Sequence, residues 1–187
     1  EINEANAEKI WDICNKYIAE HQVTPQSLIE SSNVKVVFTT NEIFDDMEIF
    51  NKIKEKNYAF KVIPAFRADK IMNIEAASYN DFIDKLGDIG FLDELEETIE
   101  NRLKEFIAVG CVASDTALQK VEVVSDRKAA AKVFAKRRKD KQVTEEEVAI
   151  FKGYLTYFLL GLYAKYNIRS ELHLGAMRNN NTVMLNK

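Results

Sequence analysis

The sequence predicts an α/β fold of parallel strands interleaved with helices, and three observations predict it. Short β-branched apolar runs alternate with stretches of helical periodicity, the signature of βαβ units whose crossover helices cover a sheet. Apolar residues make up 47% and charged residues 30%, with two prolines and six glycines, the balance of a helix-rich globular chain. At 187 residues, a single α/β domain over residues 1–187 is expected, burying roughly 70% of its unfolded surface.

Taken in order, Ile10, Trp11, Cys14, Tyr17 and Ile18 recur at three- and four-residue intervals, which predicts an amphipathic opening helix over residues 4–20. Thr24 followed by Pro25 reads as an N-cap with proline at the first helical position, opening a short helix that ends near Ser31. Residues 34–39 and 60–66 are β-branched or aromatic apolar runs, each the length of a strand buried on both faces, with a helical pattern over 44–55 between them. A helical region over 68–106, broken near Gly87 and Gly90, leads to a strand expected at 109–113. One helix is expected in the basic run that follows. Another opens at Thr144, where Glu147 supplies the carboxylate of a capping box. That helix carries Phe151, Tyr154, Leu155, Phe158, Leu159 and Leu162 and is expected to be buried. The fourth strand is expected at 170–176.

Composition also excludes function classes. The formal net charge of −4 argues against a dedicated polyanion binder. Arg127, Lys128, Lys132, Lys136, Arg137, Arg138, Lys139 and Lys141 read as a solvated helix face rather than a nucleic-acid patch. The two cysteines, Cys14 and Cys111, form neither a disulfide framework nor a zinc knuckle and are expected to be reduced and half-buried in a cytoplasmic protein. No apolar run reaches the ~20 residues that span a bilayer, and the acidic start at Glu1 is unlike a secretory signal. Neither a nucleic-acid nor a membrane partner is expected.

In parallel α/β folds ligands gather at the carboxyl ends of the strands, where the loops converge. Those ends offer Thr39, Thr40 and Asn41; Arg67, Asp69 and Lys70; Ser114, Asp115 and Thr116; and His173, Arg178 and three asparagines. His173 lies between Leu172 and Leu174 and should project from the opposite face of its strand. It is either a hydrogen-bonded core histidine or a metal ligand. Arg67 could clamp a carboxylate through its planar fork or pair with Asp69. Ser114-Asp115-Thr116 is most simply a helix cap. No glycine-rich phosphate loop and no nucleophile elbow is present.

Several of these segments together resemble the uronate isomerases, a branch of the amidohydrolase superfamily. They are Ile10-Trp11-Asp12-Ile13-Cys14-Asn15, Val36-Val37-Phe38-Thr39-Thr40, Lys61-Val62-Ile63-Pro64-Ala65-Phe66-Arg67-Ala68-Asp69-Lys70 and Gly110-Cys111-Val112-Ala113-Ser114-Asp115. The most specific is Glu171-Leu172-His173-Leu174-Gly175-Ala176-Met177-Arg178-Asn179-Asn180-Asn181. The resemblance implies a partial (β/α)8 barrel, the four strands being barrel strands two to five of a central portion of such an enzyme. It implies interconversion of D-glucuronate with D-fructuronate and of D-galacturonate with D-tagaturonate. It further implies His173 as a metal ligand and Arg67, Arg178, Thr40 and Asp69 as substrate-binding residues. The family's divalent metal, expected to be zinc, takes a His-x-His pair from the first strand and an aspartate from the eighth, neither of which this chain contains. Isolated, the chain is therefore expected to hold no metal stably and to be inactive.

Two positions depart from the family's pattern. Its Thr-Thr-Asp-Asp-Pro reads Thr39-Thr40-Asn41-Glu42-Ile43 here, and its Ser-Asp-His reads Ser114-Asp115-Thr116. These departures predict a carboxylate and an imidazole missing from the catalytic ends of two strands, and they motivate an alternative reading as a non-catalytic or divergent binding or interaction protein derived from the same fold. A part-barrel also leaves two sheet edges open, so self-association, or an edge blocked by the opening helix, is expected.

Overall fold

The structure is a computed structural model that describes residues 1–118, 120–175 and 181–185. Helices α1 (Ala7–Glu20) and α2 (Pro25–Ser31) precede strand β1 (Val36–Glu42), α3 (Glu48–Glu55) and β2 (Lys61–Arg67). Then come α4 (Asp69–Met72), α5 (Tyr79–Leu86), α6 (Leu92–Ala108) and β3 (Ala113–Leu118). The chain continues through α7 (Arg127–Arg137), α8 (Glu145–Tyr166), β4 (Arg169–Leu174) and α9 (Thr182–Leu185).

The four strands form one sheet in the order β1, β2, β3, β4, and every pairing is parallel. Strand order that follows chain order has no reversal point, so right-handed crossovers place the helices on one face, as in an arc of a barrel. The helix-covered face buries Phe66, Ser114, Thr116 and Leu118. Phe66 meets Phe106 of α6 edge-to-face at 5.1 Å and Tyr163 of α8 at 6.5 Å. The opposite, inner face carries Phe38, Thr40, Arg67, Asp115 and His173.

Local chemistry delimits the helices. Thr24 accepts from Ser27 N at 3.1 Å and starts α2. Thr144 accepts from Glu147 N at 3.2 Å while Glu147 Oε2 accepts from Thr144 N at 2.7 Å, the reciprocal bonds of a capping box. Helix α8 ends at Asn167 in the left-handed conformation, φ 56°, a geometry asparagine tolerates. It is apolar on most sides and buries Phe151, Leu155, Leu159 and Leu162, and Phe151 stacks on Phe134 of α7 at 5.9 Å.

The strands differ in detail from the sequence expectation. The run at 34–39 becomes β1 at Val36–Glu42, and it is not buried on both faces: Phe38 is 53% exposed. Its inner face looks into the open side of the arc. The strand expected at 109–113 lies at Ala113–Leu118. Val109 instead ends α6 and packs into the core, and Gly110 turns the chain with φ 101°. Ser114, Asp115 and Thr116 are therefore strand residues and no cap; Asp126 caps α7 by accepting from Ala129 N at 3.0 Å. The fourth strand begins one residue early, at Arg169, and ends at Leu174; Ala176 lies outside the described residues.

Two helices also depart from expectation. Helix α1 forms, but none of its residues is buried, with Trp11 70% exposed, so it covers no sheet edge. Cys14 on this helix is exposed rather than half-buried, whereas Cys111 is buried. The basic run is no free solvated face, because half of the eight cations are held by protein groups. Arg127 pairs with Asp93 and Glu96, Lys136 with Glu147, and Arg138 with Asp84. Arg137 donates to the carbonyls of Ile74 and Ala76. Guanidinium groups suit this work because their donors fork in one plane.

Glu100 joins α6 to α8. Its carboxylate accepts from Lys165 at 2.8 Å and from Tyr166, with Lys104 3.4 Å away. The Lys165 bond first, and then the Tyr166 bond, hold this carboxyl down at about 2. A carboxyl depressed in the folded state contributes stability that is complete above its unfolded value of about 4.3 and is lost as pH falls through the folded value. The denaturant midpoint is thus expected to exceed that of Glu100→Gln at pH 7, with the gap closing between about pH 4.5 and 2. Equal midpoints at neutral pH would show the cluster to be energetically idle.

Candidate functional site

Strand periodicity assembles the site. Side chains two apart share a face and residues in register across parallel strands share it too. Glu42 registers with Arg67, and Asp115 with Glu171. The pair Phe66 and Ser114 puts Arg67 beside Asp115 on the opposite face. All four strands therefore send a polar side chain into the inner face near their carboxyl ends.

Asp115 is the junction. Thr40 Oγ1 of β1 donates to Asp115 Oδ2 at 2.9 Å, and Arg67 Nη2 of β2 lies 3.4 Å from the same oxygen. His173 Nε2 of β4 lies 3.0 Å from Asp115 Oδ1 and 3.5 Å from Glu171 Oε1. A carboxylate accepts up to about four hydrogen bonds, so one residue ties the arc together.

The turn after β2 supports Arg67. Asp69 Oδ1 accepts from Ala117 N at 2.9 Å, while Oδ2 lies 3.6 Å from Arg67 Nε. Asp69 thus holds the end of β3 against the start of α4 and steadies the guanidinium. Support is needed there because the ladder between β2 and β3 is confined to the pair Phe66 and Ser114, and Pro64 of β2 has no N–H to contribute. Lys70 pairs with Glu42 at 3.3 Å and sits 5.5 Å from the Phe44 ring centre. Arg178 lies outside the described residues, as do Asn179 and Asn180.

Two cavities flank His173. One of about 300 Å³ lies over Phe38, Thr40, Ala65 and Asp115. The other, about 410 Å³, lies between Asp69, Lys70 and Ala117 on one side and Glu145 and Lys152 of α8 on the other. Volumes of this order suit a small polar ligand. Burial pushes the Cys111 thiol up, which disfavours its thiolate and a nucleophilic role.

A divalent metal does not fit this chain by itself. Catalytic zinc normally takes three protein ligands, and among the described residues no three His, Cys, Asp or Glu side chains are placed to hold one.

The two departures from the family's pattern lie on the other face of the sheet. Asn41 Nδ2 donates to Asp45 Oδ2 at 3.1 Å, and its Oδ1 accepts from Thr39 at 2.7 Å. Thr116 is buried against α8, in the neighbourhood of Thr156, Tyr163 and Leu172. Neither side chain faces the inner site, so no carboxylate or imidazole is missing from it at these positions.

Sequence reading undervalued Asp115 and passed over Glu42. Period-two parity counted from Thr40 reaches Glu42 once the limits of β1 are known, whereas Asp115 is placed beside Arg67 only by the register of β2 with β3.

The profile of the glucuronate isomerase family matches residues 1–187. A uronate isomerase of Caldanaerobacter subterraneus subsp. tengcongensis is 40% identical over 190 residues, a match covering 98% of this chain and 41% of the relative. The crystal structure of a uronate isomerase from Thermotoga maritima superposes with a TM-score of 0.93 at 27% identity, covering all of this chain and 42% of that one. That of a glucuronate isomerase from Caulobacter crescentus gives 0.89 at 21% identity, covering 40% of that chain, a likeness of fold. This chain spans about two fifths of the length of each.

Proposed function

Because the chain belongs to the glucuronate isomerase family, we propose that it supplies part of the site at which a complete barrel converts D-glucuronate to D-fructuronate and D-galacturonate to D-tagaturonate. The observation that carries this reading is the Asp115 junction, which brings Thr40, Arg67 and His173 from three other strands to one carboxylate.

The reaction shifts hydrogen between adjacent carbons of the open-chain sugar acid. The C2–H bond breaks and a C1–H bond forms, while the O2 hydroxyl proton passes to O1. Aldehyde becomes alcohol and alcohol becomes ketone, with no external oxidant. Arg67 offers a fixed cation to the substrate carboxylate or a hydroxyl. Asp115, whose Oδ1 has no hydrogen-bond partner among the described residues, offers a proton acceptor at the site. Thr40 and Asp69 orient Asp115 and Arg67, and Arg178 completes the substrate-binding set. The divalent metal, zinc, is assigned to ligands outside these 187 residues together with His173.

Unpaired Cys14 and Cys111 support a cytoplasmic location, and among the described residues no helix is long and apolar enough to cross a membrane. Self-association of the isolated chain is supported by the outer edges of β1 and β4, which pair with no further strand among the described residues, and by exposed Trp11, Val36 and Phe38. That Asn41 and Thr116 face away from the site supports the catalytic reading of the complete barrel over the non-catalytic one.

The test is isomerisation of D-glucuronate and D-galacturonate, with zinc, by this chain and by the complete gene product. Activity in the complete protein alone is expected, with the isolated chain larger than a 21.5 kDa monomer by light scattering. A complete, folded protein inactive on both sugar acids would remove the proposal.

A further inference from the structure

We propose that Glu42 is a specificity-determining residue of this site, accepting a hydrogen bond through Oε2 from one hydroxyl of a polyhydroxy acid. The inference rests on the reading of the site as one for a sugar acid and adds the residue that selects among such acids.

Three polar atoms on the inner face are shielded from solvent and, among the described residues, have no hydrogen-bond partner: Glu42 Oε2, Arg67 Nε and Asp115 Oδ1. Buried polar atoms are almost always satisfied, so an orphan at a site marks a place kept for a ligand or an ordered water. These three come from adjoining strands, with Glu42 in register with Arg67 and Arg67 beside Asp115. The near neighbours do not serve them. Asp69 Oδ2 stands 3.6 Å from Arg67 Nε, beyond hydrogen-bond length, and His173 Nε2, though 3.0 Å from Asp115 Oδ1, is out of alignment.

Chemistry sets the ligand. Lys70 holds the other oxygen of Glu42 at 3.3 Å, and a carboxylate oxygen accepts. Arg67 Nε only donates. The row therefore runs acceptor, donor, acceptor, and its complement is hydroxyl, oxygen, hydroxyl. Successive hydroxyls along an open-chain sugar acid supply that pattern, since each hydroxyl can both donate and accept. Glu42 stands at the β1 end of the row, farthest from His173 in the strand order, where it touches the substrate without touching the reacting carbons.

The experiment uses the complete gene product, with Glu42→Gln and Glu42→Asp. Gln keeps the shape and removes the charge; Asp keeps the charge and withdraws the oxygen by one methylene. Melting temperatures confirm that both fold. KM and kcat are measured for D-glucuronate, D-galacturonate and monodeoxy hexuronates, and binding of D-glucarate, which has no aldehyde and cannot isomerise, is followed by calorimetry. Both variants should raise KM and weaken D-glucarate binding about tenfold or more, with kcat within about threefold. The loss should vanish for the one deoxy acid that lacks the partner hydroxyl.

Unchanged D-glucarate binding in both variants, or an equal loss with every deoxy acid, would overturn the assignment. If the protein isomerises hexuronates while both variants behave as the unmodified protein, Glu42 alone is refuted. Binding of D-glucarate through Glu42 without isomerisation would refute the isomerase reading and leave the Glu42 contact standing. No binding and no turnover would refute both.

Discussion

Asp115→Asn in the complete gene product is expected to lower kcat/KM for D-glucuronate by about 10²-fold or more while the protein stays folded. Asparagine preserves the side-chain shape but removes the charge. It weakens the bond from Thr40 at 2.9 Å and the pairing with Arg67 at 3.4 Å, and turns either an amide nitrogen or a neutral oxygen toward His173. Hydrogen bonds to an ionised partner are roughly twice as strong as neutral ones, so three neighbours lose their reference point together. Thr40→Val, which removes one donor and keeps the volume, should cost less, about tenfold. Initial rates over a range of substrate concentration, with circular dichroism on each variant, check this. Activity of Asp115→Asn within threefold of the unmodified protein would show the junction to be structural.

Phe66→Ala is expected to cost about 3–5 kcal/mol of stability, the largest effect of any single core truncation at the sheet. Its ring is fully buried and stands between the strand and two helices, 5.1 Å from Phe106 and 6.5 Å from Tyr163. Its backbone also provides the pairing of β2 with β3 at Ser114. A cavity at that point therefore removes ring contacts and loosens the thinnest ladder of the sheet. It also frees the neighbouring residue, Arg67, so activity should fall below what the remaining folded fraction accounts for. Phe66→Leu should recover most of the loss, since a leucine fills much of the cavity. Urea unfolding of the three proteins measures it; a midpoint for Phe66→Ala equal to that of the unmodified protein would mean that the site collapses without a void.

Several features were legible in the residues themselves. Thr24-Pro25 and the Thr144 and Glu147 pair mark helix starts through bonds made within three residues. The density of apolar side chains over 145–166 marks a helix with neighbours on several sides. The alternation of Leu172, His173 and Leu174 puts the histidine on the inner face, and Leu172 does pack toward the core. Each of these depends on local geometry, which sequence spacing carries directly. The family segments likewise stand in the order that the parallel sheet then realises.

Other features were settled only by the tertiary structure. Strand β3 carries a polar inner face of Asp115 between small residues and so lacks an apolar run, whereas the apolar residue nearby, Val109, ends α6. Helix periodicity showed that α1 has an apolar face, yet spacing cannot say whether anything covers it, and nothing buries it here. The facing of Asn41 and Thr116 turned on one-residue parity, because a strand limit shifted by one residue exchanges every side chain between the two faces. The site shows the same division. Sequence alone determined which residue types stand at the strand ends. Only the register of the sheet decided that Thr40 and Asp115, 75 residues apart, and Arg67 and Asp115, 48 apart, would meet at one carboxylate. Backbone pairing between distant strands sets that register, and no local spacing encodes it.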